Sequence, residues 1–107
     1  MAELPTNDRA LAYVRRRLDE VYQNRLDRAV LFGSRARGDE SGESDYVVAV
    51  FLNDIPDWWR EMDVLADLRV EFFERTGAFL DAKPFHISEW PRRSALMGEI
   101  RRDGVAF

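Results

Sequence analysis

The residues of this chain best suited to chemistry lie between Leu31 and Leu52. An apolar run ends in Gly33-Ser34, ten residues follow (35–44), and Asp45 opens a second apolar run. Glycine at the end of a strand lets a phosphate approach the backbone closely. Ser34 beside it can donate from its hydroxyl and its N–H to phosphate oxygens, and N–H groups at a turn or helix start favour an anion. Asp45 could hold a Mg²⁺ that bridges the same phosphates. Arg35 and Arg37 flank the loop and could neutralise charge developing on a leaving pyrophosphate. Gly33, Ser34, Arg35 and Arg37 are thus candidate nucleotide-binding residues, and Asp45 is the candidate metal ligand. Each has a plain alternative, since Gly-Ser pairs close ordinary turns and an aspartate can simply begin a strand.

The elements that must position this loop follow from periodicity. Leu11, Val14, Leu18 and Val21 recur at helical spacing over residues 8–25, behind start signals at Pro5, Thr6 and Asn7. Residues 28–32 form a short apolar run that reads as a buried strand, and 33–44 as a loop with one helical turn. Tyr46–Leu52 is dense in β-branched and aromatic residues and reads as a second strand. Helical spacing returns over 57–76 through Trp58, Met62, Leu65, Leu68 and Phe72, with Gly77 as the stop. Residues 79–87 read as a third strand, where Pro84 implies an edge or a bulge. A last helix covers 92–102. The predicted fold class is α/β, a small mixed sheet flanked by helices, in one domain over residues 1–107.

Composition narrows the function. The chain has 107 residues, 46% of them hydrophobic, enough to close one core. A formal net charge of −4 argues against wrapping a nucleic-acid backbone. No apolar run approaches the roughly 18 residues that span a bilayer, and no secretory leader is visible, so a cytoplasmic protein is expected. Cysteine is absent and His86 is the one histidine, which removes thiolate sites, multi-histidine metal sites and a Ser-His-Asp triad with a spare base. Adjacent helix residues point about 100° apart, so Trp58 and Trp59 cannot both face one core, and one of them could anchor a partner.

Leu31-Phe32-Gly33-Ser34-Arg35-Ala36-Arg37-Gly38, followed by Ser44-Asp45-Tyr46, resembles the signature of the minimal nucleotidyltransferases (MNT) of the polymerase-β-like superfamily. The stretch from Ala95 to Val105 is similar to the closing helix and glycine turn of that family. Members commonly form the antitoxin half of a HEPN–MNT pair. The resemblance implies a nucleotidyltransferase fold that binds ATP and Mg²⁺ and transfers a nucleoside monophosphate to a hydroxyl, such as a tyrosine of a cognate HEPN toxin. It leaves the oligomeric state open, with room for a homo- or hetero-oligomer. Family members carry Asp-x-Asp at the second strand and a third acidic residue on a later strand. Here the second aspartate is replaced by Val47, which offers no ligand. The later strand supplies Asp81 as candidate third carboxylate, with Lys83 near the expected position. Two readings stand: an enzyme using Asp45 and Asp81, or a catalytically degenerate antitoxin that neutralises its partner by binding alone. Modification of a small molecule such as an aminoglycoside would need a partner subunit to complete the pocket.

Overall fold

A computed structural model of the chain describes residues 2–3, 8–38 and 45–107, the first two as backbone only. The start signals at 5–7 and residues 39–44 of the spacer, Ser44 included, lie outside them. In chain order the elements are β1 (Ala2–Glu3), α1 (Arg9–Tyr22), β2 (Leu26–Phe32), β3 (Tyr46–Leu52), α2 (Trp58–Thr76), β4 (Leu80–His86), α3 (Ala95–Asp103) and β5 (Val105–Ala106). The sheet is mixed, in the order β1-β5-β2-β3-β4. β2 runs antiparallel to β3 and to β5, while β4 runs parallel to β3 and β1 parallel to β5.

Strand alternation sorts the sheet into two faces. Val48, Val50 and Leu52 join Ala29, Leu31 and Ala82 against α1 and α2, which contribute Leu11, Val14, Leu18, Leu65, Leu68 and Phe72. Val30, Phe32, Ala49 and Phe51 face the other way, against Met97 and Ile100 of α3. Both long helices begin on an aspartate: Asp8 accepts from the Leu11 N–H at 3.1 Å and Asp57 from the Arg60 N–H at 3.3 Å. Gly77 ends α2, as its place in the sequence predicts.

Several expectations are corrected. α1 stops at Tyr22, because Gln23 takes a φ of +53° and residues 23–25 tighten into a 3₁₀ turn. Its buried face closes with Tyr22, and Val21 is exposed. β2 begins earlier than expected, at Leu26, across a register shift between Leu26 and Arg28. α3 starts at Ala95 rather than 92, since the Ser94 side chain caps it by accepting from Met97 N–H. β1 and β5 are two-residue strands, too short to show periodicity. In α2 the core positions are Glu61, Leu65, Leu68 and Phe72, while Trp58 and Trp59 are both exposed.

The β4 edge is blunted against further pairing. Pro84 lacks an N–H, and Arg69 of α2 donates to the Ala82 carbonyl at 2.8 Å. The register from Tyr46↔Leu80 to Leu52↔His86 runs without a bulge, so Pro84 marks an edge strand. At the other side of the fold Gly104 permits close packing. A Cβ there would lie 2.2 Å from the Ile100 carbonyl oxygen and 2.5 Å from a Val30 methyl.

Candidate functional site

The end of β2 and the starts of β3 and β4 meet at one end of the sheet, which brings the candidate residues together. Gly33 adopts a φ of +82°, a conformation costly for any side-chain-bearing residue. The chain then makes a single helical turn, with Arg37 N–H donating to the Gly33 carbonyl at 3.3 Å and Gly38 N–H to the Arg35 carbonyl at 3.3 Å. Ser34 sits half-buried in that turn and Asp45 is exposed immediately before β3. Arg35 lies over the Tyr46 ring, 3.9 Å from its centroid, and Arg37 approaches Glu99 of α3 at 3.8 Å. This arrangement suits a phosphate: a left-handed glycine, turn N–H groups, a hydroxyl and two guanidiniums.

The carboxylate half of the site differs. Phe32 pairs with Val47, and Val47 with Asp81, in one row across three strands. A Cβ on Gly33 would stand 3.7 Å from a Val47 methyl, so the valine packs directly behind the loop. Asp81 is engaged by cations: Arg69 donates to one carboxylate oxygen at 3.1 Å, and Lys83 lies 3.8 Å from the other. Lys83 pairs with Ala49, one step along the same face. Among the described residues no group of three His, Cys, Asp or Glu side chains could hold a metal. The donors present do not fit a paired-carboxylate metal centre. Asp45 remains as an exposed carboxylate beside the loop.

Comparison with known proteins gives the scaffold its family. The family described as Polymerase beta, Nucleotidyltransferase matches residues 17–86. The chain belongs to that family. Its match runs from α1 through β4 and thus contains the Gly33 loop, Asp45, Val47 and Asp81. No curated protein matches this nucleotidyltransferase-family chain by sequence. Among solved structures it is similar to a chain of a toxin–antitoxin determined with AMP-PNP, at 18% identity and a TM-score of 0.63, over 89% of this chain and 69% of that one. It is also similar to a chain of a single-substitution variant of the toxin–antitoxin MntA-HpeT, at 18% identity and a TM-score of 0.65, over 91% and 70% of the two chains. A doubly substituted MntA-HpeT gives 17% identity and a TM-score of 0.62, over 89% and 69%. These likenesses show the fold.

Two features of the molecule escape sequence reading. Arg69 sits twelve residues before Asp81 on a different element, and its role appears only once β4 is laid against α2. The second is a buried cluster behind the sheet. Glu61 is 2% exposed and accepts from the Arg25 guanidinium, which also reaches Asp54 at 2.7 Å. These two hydrogen bonds, Glu61's first, raise the Arg25 pKa. Burial, and then the Glu61 charge, push the Tyr22 phenol well above its ordinary value. The cluster lies among α1, α2 and the turn before β2, away from the loop, and serves packing. His86 is also structural, its Nδ1 accepting from the Ser88 N–H at 3.1 Å. Among the described residues no helix is long and apolar enough to cross a membrane.

Proposed function

We propose that this nucleotidyltransferase-family chain is the antitoxin of a toxin–antitoxin pair, a HEPN-type toxin being its partner, and that it neutralises the toxin by binding rather than by nucleotidyl transfer. Family membership and the likeness to chains of toxin–antitoxin structures support the antitoxin role. The observation that carries the binding reading is the row Phe32–Val47–Asp81, with Val47 packed behind Gly33. A valine methyl fills the place of the second aspartate, and Arg69 and Lys83 neutralise the third carboxylate. Two-metal phosphoryl transfer needs those charges to position the attacking oxygen and stabilise the departing one. The Gly33–Gly38 turn keeps its anion-receiving form, so ATP is a ligand of the loop rather than a donor.

The rival reading is ATP- and Mg²⁺-dependent transfer of a nucleoside monophosphate to a toxin hydroxyl. Asp45, exposed beside the loop, favours it. Calorimetric titration with ATP, with and without Mg²⁺, combined with transfer from α-phosphate-labelled ATP, separates the two. Metal-independent ATP binding with no label transfer is expected, together with toxin neutralisation that survives Ser34→Ala and Asp45→Asn. Mg²⁺-dependent label transfer to the toxin, abolished by either change, would establish the enzyme instead.

A further inference from the structure

Helix α2 has a second apolar face that the fold does not use. Relative to Ala66, the residues Trp59, Met62, Val70 and Phe73 fall within about 40° to either side on a helical wheel of 100° per residue. They make a stripe about 21 Å long, at 1.5 Å per residue, displaced from the core stripe Glu61–Leu65–Leu68–Phe72. Trp59 is 74% exposed, Val70 58% and Phe73 47%. Aromatic pairs finish both ends: Trp58 and Trp59 meet edge to face at 5.0 Å, and Phe73 stacks on the exposed Phe79 at 5.0 Å. Beside Trp58 and Met62 the surface continues into a groove of about 410 Å³ that also involves Pro84 and Phe85. Contiguous exposed aromatics of this kind mark interaction sites.

The charges along the stripe specify what covers it. One edge carries Asp63, Asp67 and Glu74, all exposed and none ion-paired with a described residue. The other edge carries Arg69 and Lys83, which meet Asp81 and share the groove with Glu89, so its charges balance. Arg60, exposed on the carboxylate edge, offsets one of its three charges, and the outstanding charge is negative and lies on that side. We infer that this face of α2 receives a helix of a partner protein, apolar along one face and carrying lysine or arginine along the edge that meets Asp63, Asp67 and Glu74. The aromatic residues supply the desolvated centre and the carboxylates fix the direction and register of the incoming helix. The inference rests on the antitoxin reading for the partner's identity, and on α2 alone for its chemistry.

The probe is a designed amphipathic helical peptide of leucine and lysine, with two controls: a scrambled peptide of the same composition, and a leucine–glutamate helix. Binding is read from the blue shift of tryptophan emission and by calorimetry. The wild-type chain is expected to bind the leucine–lysine helix in preference to both controls, more weakly as salt rises. Asp63→Lys with Asp67→Lys should weaken it about tenfold, the effect of losing ~1.4 kcal/mol, and favour the leucine–glutamate helix. Trp59→Ser with Phe73→Ser should abolish binding while leaving the far-ultraviolet circular dichroism unchanged. Equal binding of the scrambled peptide, or a dimeric chain that these serines render monomeric, would overturn the inference. With the toxin in hand, a complex that ignores the α2 variants sinks this surface alone. A chain that never binds the toxin sinks the antitoxin reading instead.

Discussion

Replacing Val47 by aspartate restores the missing carboxylate and tests why the site is built as it is. Paired positions on neighbouring strands lie about 4.8 Å apart, so the new charge would face Asp81 directly. Two carboxylates about 5 Å apart at an effective dielectric of about 20 repel by ~3 kcal/mol. Arg69 at 3.1 Å and Lys83 at 3.8 Å offset part of that, while the packing of Val47 behind Gly33 is lost. A net destabilisation of about 1–3 kcal/mol in EDTA follows, a fall in Tm of about 5–15 °C for a domain of this size. Mg²⁺ should reverse most of it, because an ion at a hundred times its Kd adds ~2.7 kcal/mol to the folded state. Calorimetric melting of Val47→Asp and wild type, each with EDTA and with Mg²⁺, gives the comparison. Wild type should not respond to the metal. Equal Mg²⁺ stabilisation of both proteins, or an undiminished Tm for the variant in EDTA, would refute this account of the row.

Three further outcomes follow from the packing. Glu61→Ala should lower the urea midpoint by the equivalent of about 2 kcal/mol, below the 3–5 kcal/mol of a fully buried pair because Arg25 is a third exposed and keeps Asp54. Tyr22 has a phenol pKa raised in the folded state, so its contribution is fully present below the unfolded value near 10 and is lost as pH rises past it; Tyr22→Phe should remove that alkaline loss in a pH series of chemical melts. Gly104→Ala forces a methyl against the Ile100 carbonyl and Val30, and should lower stability by about 1–3 kcal/mol in a thermal melt.

How far the sequence carries depends on the range of the interactions involved. The strand Tyr46–Leu52 and the span of α2 were legible because periodicity and a terminal glycine are local. The ends of α1 and β2 were less so, since one residue at Gln23 in a positive-φ conformation moves both boundaries. β5 exists because Val105 and Ala106 find partners on β2, some 75 residues away, which no local pattern records. In the site, the Gly33–Ser34 turn and the absence of a ligand at Val47 could be read directly. The fate of Asp81 could not, because it depends on Arg69 reaching round the sheet edge from another element.

That same reach has a consequence for how this protein can acquire partners. With Pro84 offering no donor and the Ala82 carbonyl already taken, the main chain of β4 has little to give an incoming strand, whatever its sequence. Contact on this side must be made through side chains. A partner recognised by backbone pairing is hard to exchange, since every peptide group resembles every other. A partner recognised by side chains can be gained or discarded one codon at a time, with the sheet beneath left undisturbed.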